Sequence, residues 1–282
     1  MQQITYTDSA GRKTVFGPRA PYVLWKVDGL GNPDIQIDRT RAAGQRGQEA
    51  HGLRYETREV TIIAHIHGPG GMLYALRRQL NSLMSPEKAP GMLVYENDAG
   101  RYVIPCYPEQ PRYDDRFREY QTVTLRLLCP DPLWRAEEAA QARLYFGDGS
   151  FVFLLMLPAV FGVSAARGVL RNNGDAAAPL EFWVHGGAKR PTIRNRTTGE
   201  SFTVEKDFPE NQTLYIRTGQ GEKTVSLLSA DGVLLENAFG YLSPDSVLFL
   251  LPCGESELEF KNAEEAASTS VSVRFWERYT GV

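Results

Sequence analysis

Two histidines, two residues apart, come nearest to a chemical site in this sequence. His65 and His67 close the run Glu59-Val-Thr-Ile-Ile-Ala-His-Ile-His67, and on a strand both imidazoles point to the same face. A metal site needs a third and usually a fourth ligand. No Cys, His or acidic motif at suitable spacing accompanies the pair, so the expected reading is surface or edge histidines without metal. Gly219-Gln-Gly-Glu-Lys-Thr224 has the composition of a phosphate-binding loop but not its order. Its lysine does not follow a glycine directly, and the next run has strand rather than helix character. A hairpin turn between Ile216 and Val225 accounts for it better. The acidic neighbours Asp114-Asp115 and Glu137-Glu138 are expected to be solvated. No glycine-flanked nucleophilic serine occurs, and no Ser, His and Asp set suggests a triad. The chain is therefore expected to be neither an enzyme nor a cofactor carrier.

Composition narrows the class further. The 282 residues exceed what one core usually organises, so two domains are expected. A hydrophobic fraction of 42% and a charged fraction of 23% are ordinary for a globular protein. A formal charge of −3 gives no reason to expect affinity for nucleic acid or an anionic membrane. The longest apolar run, Phe151–Val163, is broken by Pro158 and Gly162 and falls short of the ~20 residues a membrane helix needs. With no signal-peptide pattern at Met1, the expectation is a soluble chain made in a cytoplasm, with no membrane partner. Cys106, Cys129 and Cys253 are an odd count at no metal-like spacing. They read as small apolar residues.

The elements that would position these residues centre on Glu59–Trp134. Val60, Ile62, Ala64 and Ile66 alternate with polar neighbours, which predicts a strand with one buried face. After Gly68-Pro69-Gly70-Gly71 the period changes. Leu73, Leu76, Leu80, Leu83 and Met84 fall three or four apart, predicting a helix from Met72 with Arg77, Arg78, Gln79 and Ser82 on its outer side. Ser85-Pro86 and Ala89-Pro90-Gly91 stop it. Met92–Glu96 and Arg101–Tyr107 flank Asn97-Asp-Ala-Gly100 as a hairpin, and Tyr120–Cys129 is a last strand before Pro130-Asp-Pro-Leu-Trp134. Upstream, Ile4–Thr7 and Lys13–Phe16 flank a turn, Tyr22–Val27 is a third strand, and Asp34–Arg39 follows Pro33.

Arg39–Gly52 has no periodicity. Between residues 39 and 58, Arg39, Arg41, Arg46, Arg54 and Arg58 stand against only Glu49 and Glu56. One reading is a solvated loop; the other is an arm that orders against a neighbour, since long structureless loops in compact domains are uncommon. Past Trp134, Arg135-Ala-Glu-Glu-Ala-Ala-Gln-Ala-Arg143 reads as a helix former or flexible connector. The domain boundary falls there, with Phe151–Val163 as the first element packed on the second domain. The expected division is 1–134, a connector 135–163, and 164–282. Ten short runs follow, among them Gly168–Arg171, Leu180–His185, Ser246–Leu251 and Val271–Glu277, and their spacing predicts a β-sandwich. Proteolysis is expected to cut first within Arg39–Gly52 or Arg135–Phe146.

Several phrases in this frame resemble the distal tail proteins (the Dit family) of long-tailed, siphovirus-type phages. They are the arginine-rich stretch before the first strand, the strand-to-helix passage, Gly91-Met-Leu-Val-Tyr95, and above all Cys129-Pro-Asp-Pro-Leu-Trp134. In the second half they are Leu170-Arg-Asn-Asn-Gly-Asp-Ala176, Pro191-Thr-Ile-Arg-Asn195, Leu214-Tyr-Ile-Arg-Thr-Gly219 and the ending Phe275-Trp-Glu-Arg-Tyr279. The family's proline-glycine-asparagine turn is replaced by Pro252-Cys253-Gly254-Glu255.

The resemblance implies a mainly β chain with one short helix. Its amino-terminal part would be a split β-barrel or sandwich with a helix and an extended hairpin arm, and its carboxy-terminal domain a galectin-like β-sandwich. It also implies a structural baseplate hub protein of the virion, at the distal end of the tail. Six copies would form a ring joining tail tube to tail tip, with DNA only passing through its channel. Partners would be further copies of itself, the tail tube, tape-measure and tail hub proteins, and receptor-binding proteins. The stretch carrying Arg39, Arg41, Arg46 and Arg54 would be the inter-subunit arm. A carbohydrate- or receptor-binding module is the alternative, suggested by the sandwich alone. Trp183 and Trp276 alternate with apolar residues as core residues do, which leaves Arg194, Asn195 and Arg196 as the polar cluster able to serve it.

Overall fold

The computed structural model describes residues 2–68, 72–117, 120–146, 165–262 and 269–282. The chain divides into two units. Met1–Glu137 with Tyr279–Val282 make the first, and Glu138–Arg278 the second. The fold is mainly β with one α-helix among the described residues.

In the first unit the strands are β1 (Gln3–Thr7), β2 (Lys13–Phe16), β3 (Tyr22–Asp28), β4 (Ile35–Thr40), β5 (Glu49–Tyr55) and β6 (Arg58–His67). The helix α1 (Met72–Leu83) precedes β7 (Gly91–Asn97), β8 (Gly100–Pro108), β9 (Arg112–Phe117), β10 (Tyr120–Cys129) and β11 (Trp134–Ala136). The sheet runs β2-β1-β7-β8-β10-β6-β3, with β9 on β10 and β11 on β8. Its two ends approach each other where Gly17 bridges Val23, so the sheet curls towards a barrel. The ten-residue register between β6 and β10, from His67 opposite Tyr120 to Arg58 opposite Cys129, forms its backbone. Alternation is strict in both strands. Val60, Ile62, Ala64 and Ile66 face Val123, Leu125 and Leu127 inside, together with Leu73, Leu80 and Met84 from the helical segment. Both periods expected from the sequence are therefore realised on one core. β9 was not anticipated, because Arg112-Tyr-Asp-Asp-Arg-Phe117 has no continuous apolar face.

The second unit contains β12 (Ala140–Phe146), β13 (Ala165–Asn172), β14 (Leu180–His185), β15 (Thr192–Asn195) and β16 (Ser201–Thr203). After them come β17 (Gln212–Arg217), β18 (Thr224–Ser229), β19 (Leu234–Asn237), β20 (Gly254–Lys261) and β21 (Ser270–Phe275). The hydrogen-bonded order is β16-β15-β20-β13-β12-β21-β14-β17-β18-β19. β12 joins the two halves: Ala140–Leu144 pair with β21, and Tyr145 and Phe146 with β13. Phe202, Leu258 and Phe260 from one half meet Phe182, Leu214, Ile216 and Val273 from the other in a single core.

Three expectations are corrected here. Arg135–Phe146 is not a helix or a free connector. β11 pairs with Tyr102 and Val103, and β12 is a sandwich strand. Ala140, Ala142 and Leu144 face inwards while Gln141 and Arg143 are exposed, a period of two that the alanine-rich composition masked. The described part of the expected connector, residues 135–146, thus carries paired strands, and the expected cuts in Arg135–Phe146 lose their basis. Ser246–Leu251 forms no strand. Leu248, Phe249 and Leu251 are buried by isolated contacts, such as the Ala178–Leu251 bridge, before Pro252. The Phe151–Val163 run lies outside the described residues.

Candidate assembly interface

β4 and β5 leave the first unit as a hairpin. They pair with each other and, among the described residues, with no other strand. Its root is closed by Glu56 N–H donating to the Asp34 carbonyl at 2.9 Å. All seven residues of β5 are exposed, as are five of the six in β4.

The hairpin has two chemically different faces. Ile35 stands opposite Tyr55 and Ile37 opposite Leu53, and residues two apart share a face. These four side chains make one apolar face with 40–56% of each exposed. The other face carries Gln36 opposite Arg54, and Arg54 pairs with Asp38 at 3.4 Å. A bulge after Asp38 shifts the register towards the tip. There Gln45 organises the turn: its side chain accepts from Ala42 N–H, and its backbone carbonyl accepts from Arg41 Nε. Arg39, Arg41 and Arg46 are exposed at this end.

The four arginines expected for an arm are therefore all on the hairpin, three at its tip and Arg54 on its polar face. Its apolar face was missed. The window read as aperiodic began at Arg39 and ended at Gly52, and the alternation in Ile35-Gln-Ile37 and Leu53-Arg-Tyr55 lay just outside it. The magnitudes make the apolar face the larger potential source of binding energy. Covering each half-exposed side chain is worth about 1 kcal/mol, whereas an exposed ion pair contributes roughly 0–1 kcal/mol.

Arg58 is different from the arginines it was grouped with. It is 3% exposed and holds the base of the hairpin to the barrel. Nε donates to the Pro132 carbonyl at 2.6 Å, one terminal nitrogen to the carbonyls of Gly29 and Gly31 at 2.5 Å, and the other to Thr280 at 2.7 Å. Burial lowers its pKa, and its guanidinium lies 5.9 Å from the centre of the Trp134 ring. The Cys-Pro-Asp-Pro-Leu-Trp stop is thus the wall of an arginine socket. Gly29 is required beside it: its φ is +88°, and a Cβ there would lie 2.2 Å from the Glu59 carbonyl oxygen.

The remaining chemical candidates resolve as structural groups. His65 Nδ1 lies 3.1 Å from Thr122 Oγ1, and His67 stacks on Tyr120. Burial, then the neighbouring His67, lowers the His65 pKa. Among the described residues no three His, Cys, Asp or Glu side chains come together as a metal site. Cys106 and Cys129 are buried free thiols, and the hydrogen bond with Cys129, then burial, push the Cys106 pKa up. Gly219–Lys223 is the turn between β17 and β18, with Glu222 N–H donating to Gly219.

In the second unit, the polar cluster Arg194–Arg196, named for the alternative sugar-binding reading, is largely engaged within its own chain. Asn195 is fully buried and caps the turn at Thr197 and Thr198, and Arg196 pairs with Glu257. Trp183 and Trp276 are not core either. Both are half-buried, with the Arg274 guanidinium 4.8 and 4.9 Å from their ring centres. Arg274 in turn donates to the nearly buried Glu181, which also pairs with Arg217. The strand alternation was right, but the outward row carries the aromatics.

A barrel-like β unit with one helix and a projecting hairpin, followed by a β-sandwich, matches two profiles of phage tail proteins. Residues 9–129 match the family profile of the phage tail protein RIFT-related domain, and residues 173–279 that of the siphovirus-type tail component, C-terminal domain. The chain belongs to the siphovirus distal tail protein family. Its fold is similar to the crystal structure of the phage SPP1 Dit protein, at 15% identity over 98% of both chains with a TM-score of 0.72. It is also similar to a chain of the phage P2 baseplate in its activated conformation with Ca, at 10% identity over 100% of both chains and a TM-score of 0.59. The same baseplate with Sr gives 10% identity, full coverage and 0.58. No curated protein matches the chain in sequence.

Proposed function

We propose that this structural component of the phage tail works as a ring. Six copies close head to tail at the distal end of the tail, joining the tail tube to the tail tip around a channel through which DNA passes. It catalyses no reaction. The observation that carries this reading is the β4–β5 hairpin, whose apolar face stands half-exposed and whose strands pair with no other strand among the described residues. A cyclic assembly uses a head-to-tail interface in which one patch meets a different patch of the next copy, and a projecting hairpin suits that geometry. The similar SPP1 protein is described as a hub of the adsorption apparatus in phages that infect Gram-positive bacteria, and the P2 chains belong to a baseplate. Both descriptions support a hub. In this reading the first unit forms the ring and meets the tube, tape-measure and hub proteins, while the sandwich serves the peripheral receptor-binding proteins. Electron microscopy of the purified protein at high concentration tests it. Closed rings with sixfold symmetry and an open centre are expected; a monodisperse monomer, or a twofold dimer, would overturn it.

A further inference from the structure

The first unit carries a second surface with exposed aromatic side chains. Across β3, β6, β10 and β9 runs a strip of rings formed by Trp25, His65, His67, Tyr120 and Phe117. Trp25 lies 5.2 Å from His65, His65 5.2 Å from Tyr120, and Phe117 5.5 Å from Tyr120 between ring centres, with His67 stacked on Tyr120. The two ends are open: Trp25 is 71% exposed and Phe117 59%. Spanning four adjacent strands, the strip is about 15 Å wide, enough to seat a two-stranded hairpin.

We infer that this strip receives the apolar face of the β4–β5 hairpin from the neighbouring copy, with Ile35, Ile37, Leu53 and Tyr55 lying on Trp25, Tyr120 and Phe117. The inference rests on the ring reading and names the acceptor within it. Three observations carry it. Both surfaces present large apolar side chains that stay exposed among the described residues, and rigid aromatics are the side chains that anchor interfaces. The two lie at opposite ends of one rigid strand: the hairpin re-enters at Arg58, while His65 and His67 stand seven and nine residues along β6. At ~3.3 Å per residue that is roughly 20–30 Å, the separation of unlike patches that head-to-tail closure needs. The rival patches on this unit are weaker. Tyr74 on the helix already has the guanidinium groups of Arg77 and Arg116 near its ring, at 5.8 and 5.6 Å. The exposed cross-strand pair Tyr107 and Leu128 offers only two side chains.

Cysteine cross-linking of the full chain tests the assignment. In a Cys253→Ser background, which removes the exposed native thiol, one population carries Leu53→Cys and the other Trp25→Cys or Phe117→Cys. All three positions are exposed, so folding is preserved. Mild oxidation should give a cross-linked dimer only when the two populations are mixed, and a ladder of covalent oligomers when both substitutions share one chain. A Leu53→Cys and Tyr107→Cys mixture should give none. If electron microscopy shows rings but neither acceptor position cross-links to Leu53→Cys, the acceptor assignment falls and the ring reading stands. If no rings form in the unmodified protein, both fall.

Discussion

Arg58 is the residue on which the first unit most depends. It is a buried cation whose partners are four backbone carbonyls, drawn from the β3–β4 loop, the Pro130–Trp134 stop and the last residues of the chain. Nothing in composition or spacing distinguishes it from Arg54 four residues earlier, because its partners are distant carbonyls that leave no mark in the sequence. The same holds for the outward row of Trp183, Arg274 and Glu181, where alternation places residues on a face but does not say which face is wet. Arg58→Met keeps the apolar stem and leaves the carbonyls without their charged donor. With charge-assisted hydrogen bonds worth about 1.5–3 kcal/mol each, a loss of at least ~3 kcal/mol is expected. Arg58→Lys should recover little of it, since an ammonium cannot present the planar fork that reaches separate carbonyls. Urea unfolding checks this. The transition of the first unit should move to lower urea while that of the sandwich stays; an unmoved first transition in Arg58→Met would contradict the anchoring role.

At the scale of elements, long alternating and helical runs were legible and short or composite ones were not. β6, α1 and β10 each carry one uninterrupted period, and each forms where that period predicts. β12 was hidden because Ala, Glu and Gln favour a helix locally, and only pairing with β21 selects the strand. The hairpin lay between these cases. Its polar tip read as a loop, and the apolar residues at its base fell outside the stretch considered. That geometry makes a direct prediction for protease accessibility. In the dispersed chain, trypsin should cut first at Arg39, Arg41 or Arg46, whose tip is held by a few exposed hydrogen bonds. In the assembled state those cuts should be slowed, because the proposed ring lays the hairpin against the next copy. First cleavage within β11 or β12, or equal cutting rates in both states, would count against this.

For the whole molecule, the family and the two-part β architecture were legible from motifs spread over both halves, whereas the exposed apolar surfaces of the first unit were not. Interfaces between copies are written in side chains that look misplaced in one chain, and they become visible only once the fold shows which ones have nothing against them. The hairpin is the clearest case, and removing it separates folding from assembly. Its ends are already joined by the Glu56–Asp34 hydrogen bond of 2.9 Å, so replacing Ile35–Tyr55 by a short Gly-Ser linker closes the gap without strain. The decisive measurement is mass and symmetry of this variant beside the unmodified chain, by native mass spectrometry and electron microscopy, with thermal unfolding of each as the control. The unmodified chain should form sixfold rings and the variant only monomers, with the melting of the dispersed chain unchanged. Closed rings formed by the hairpin-less chain would contradict the account.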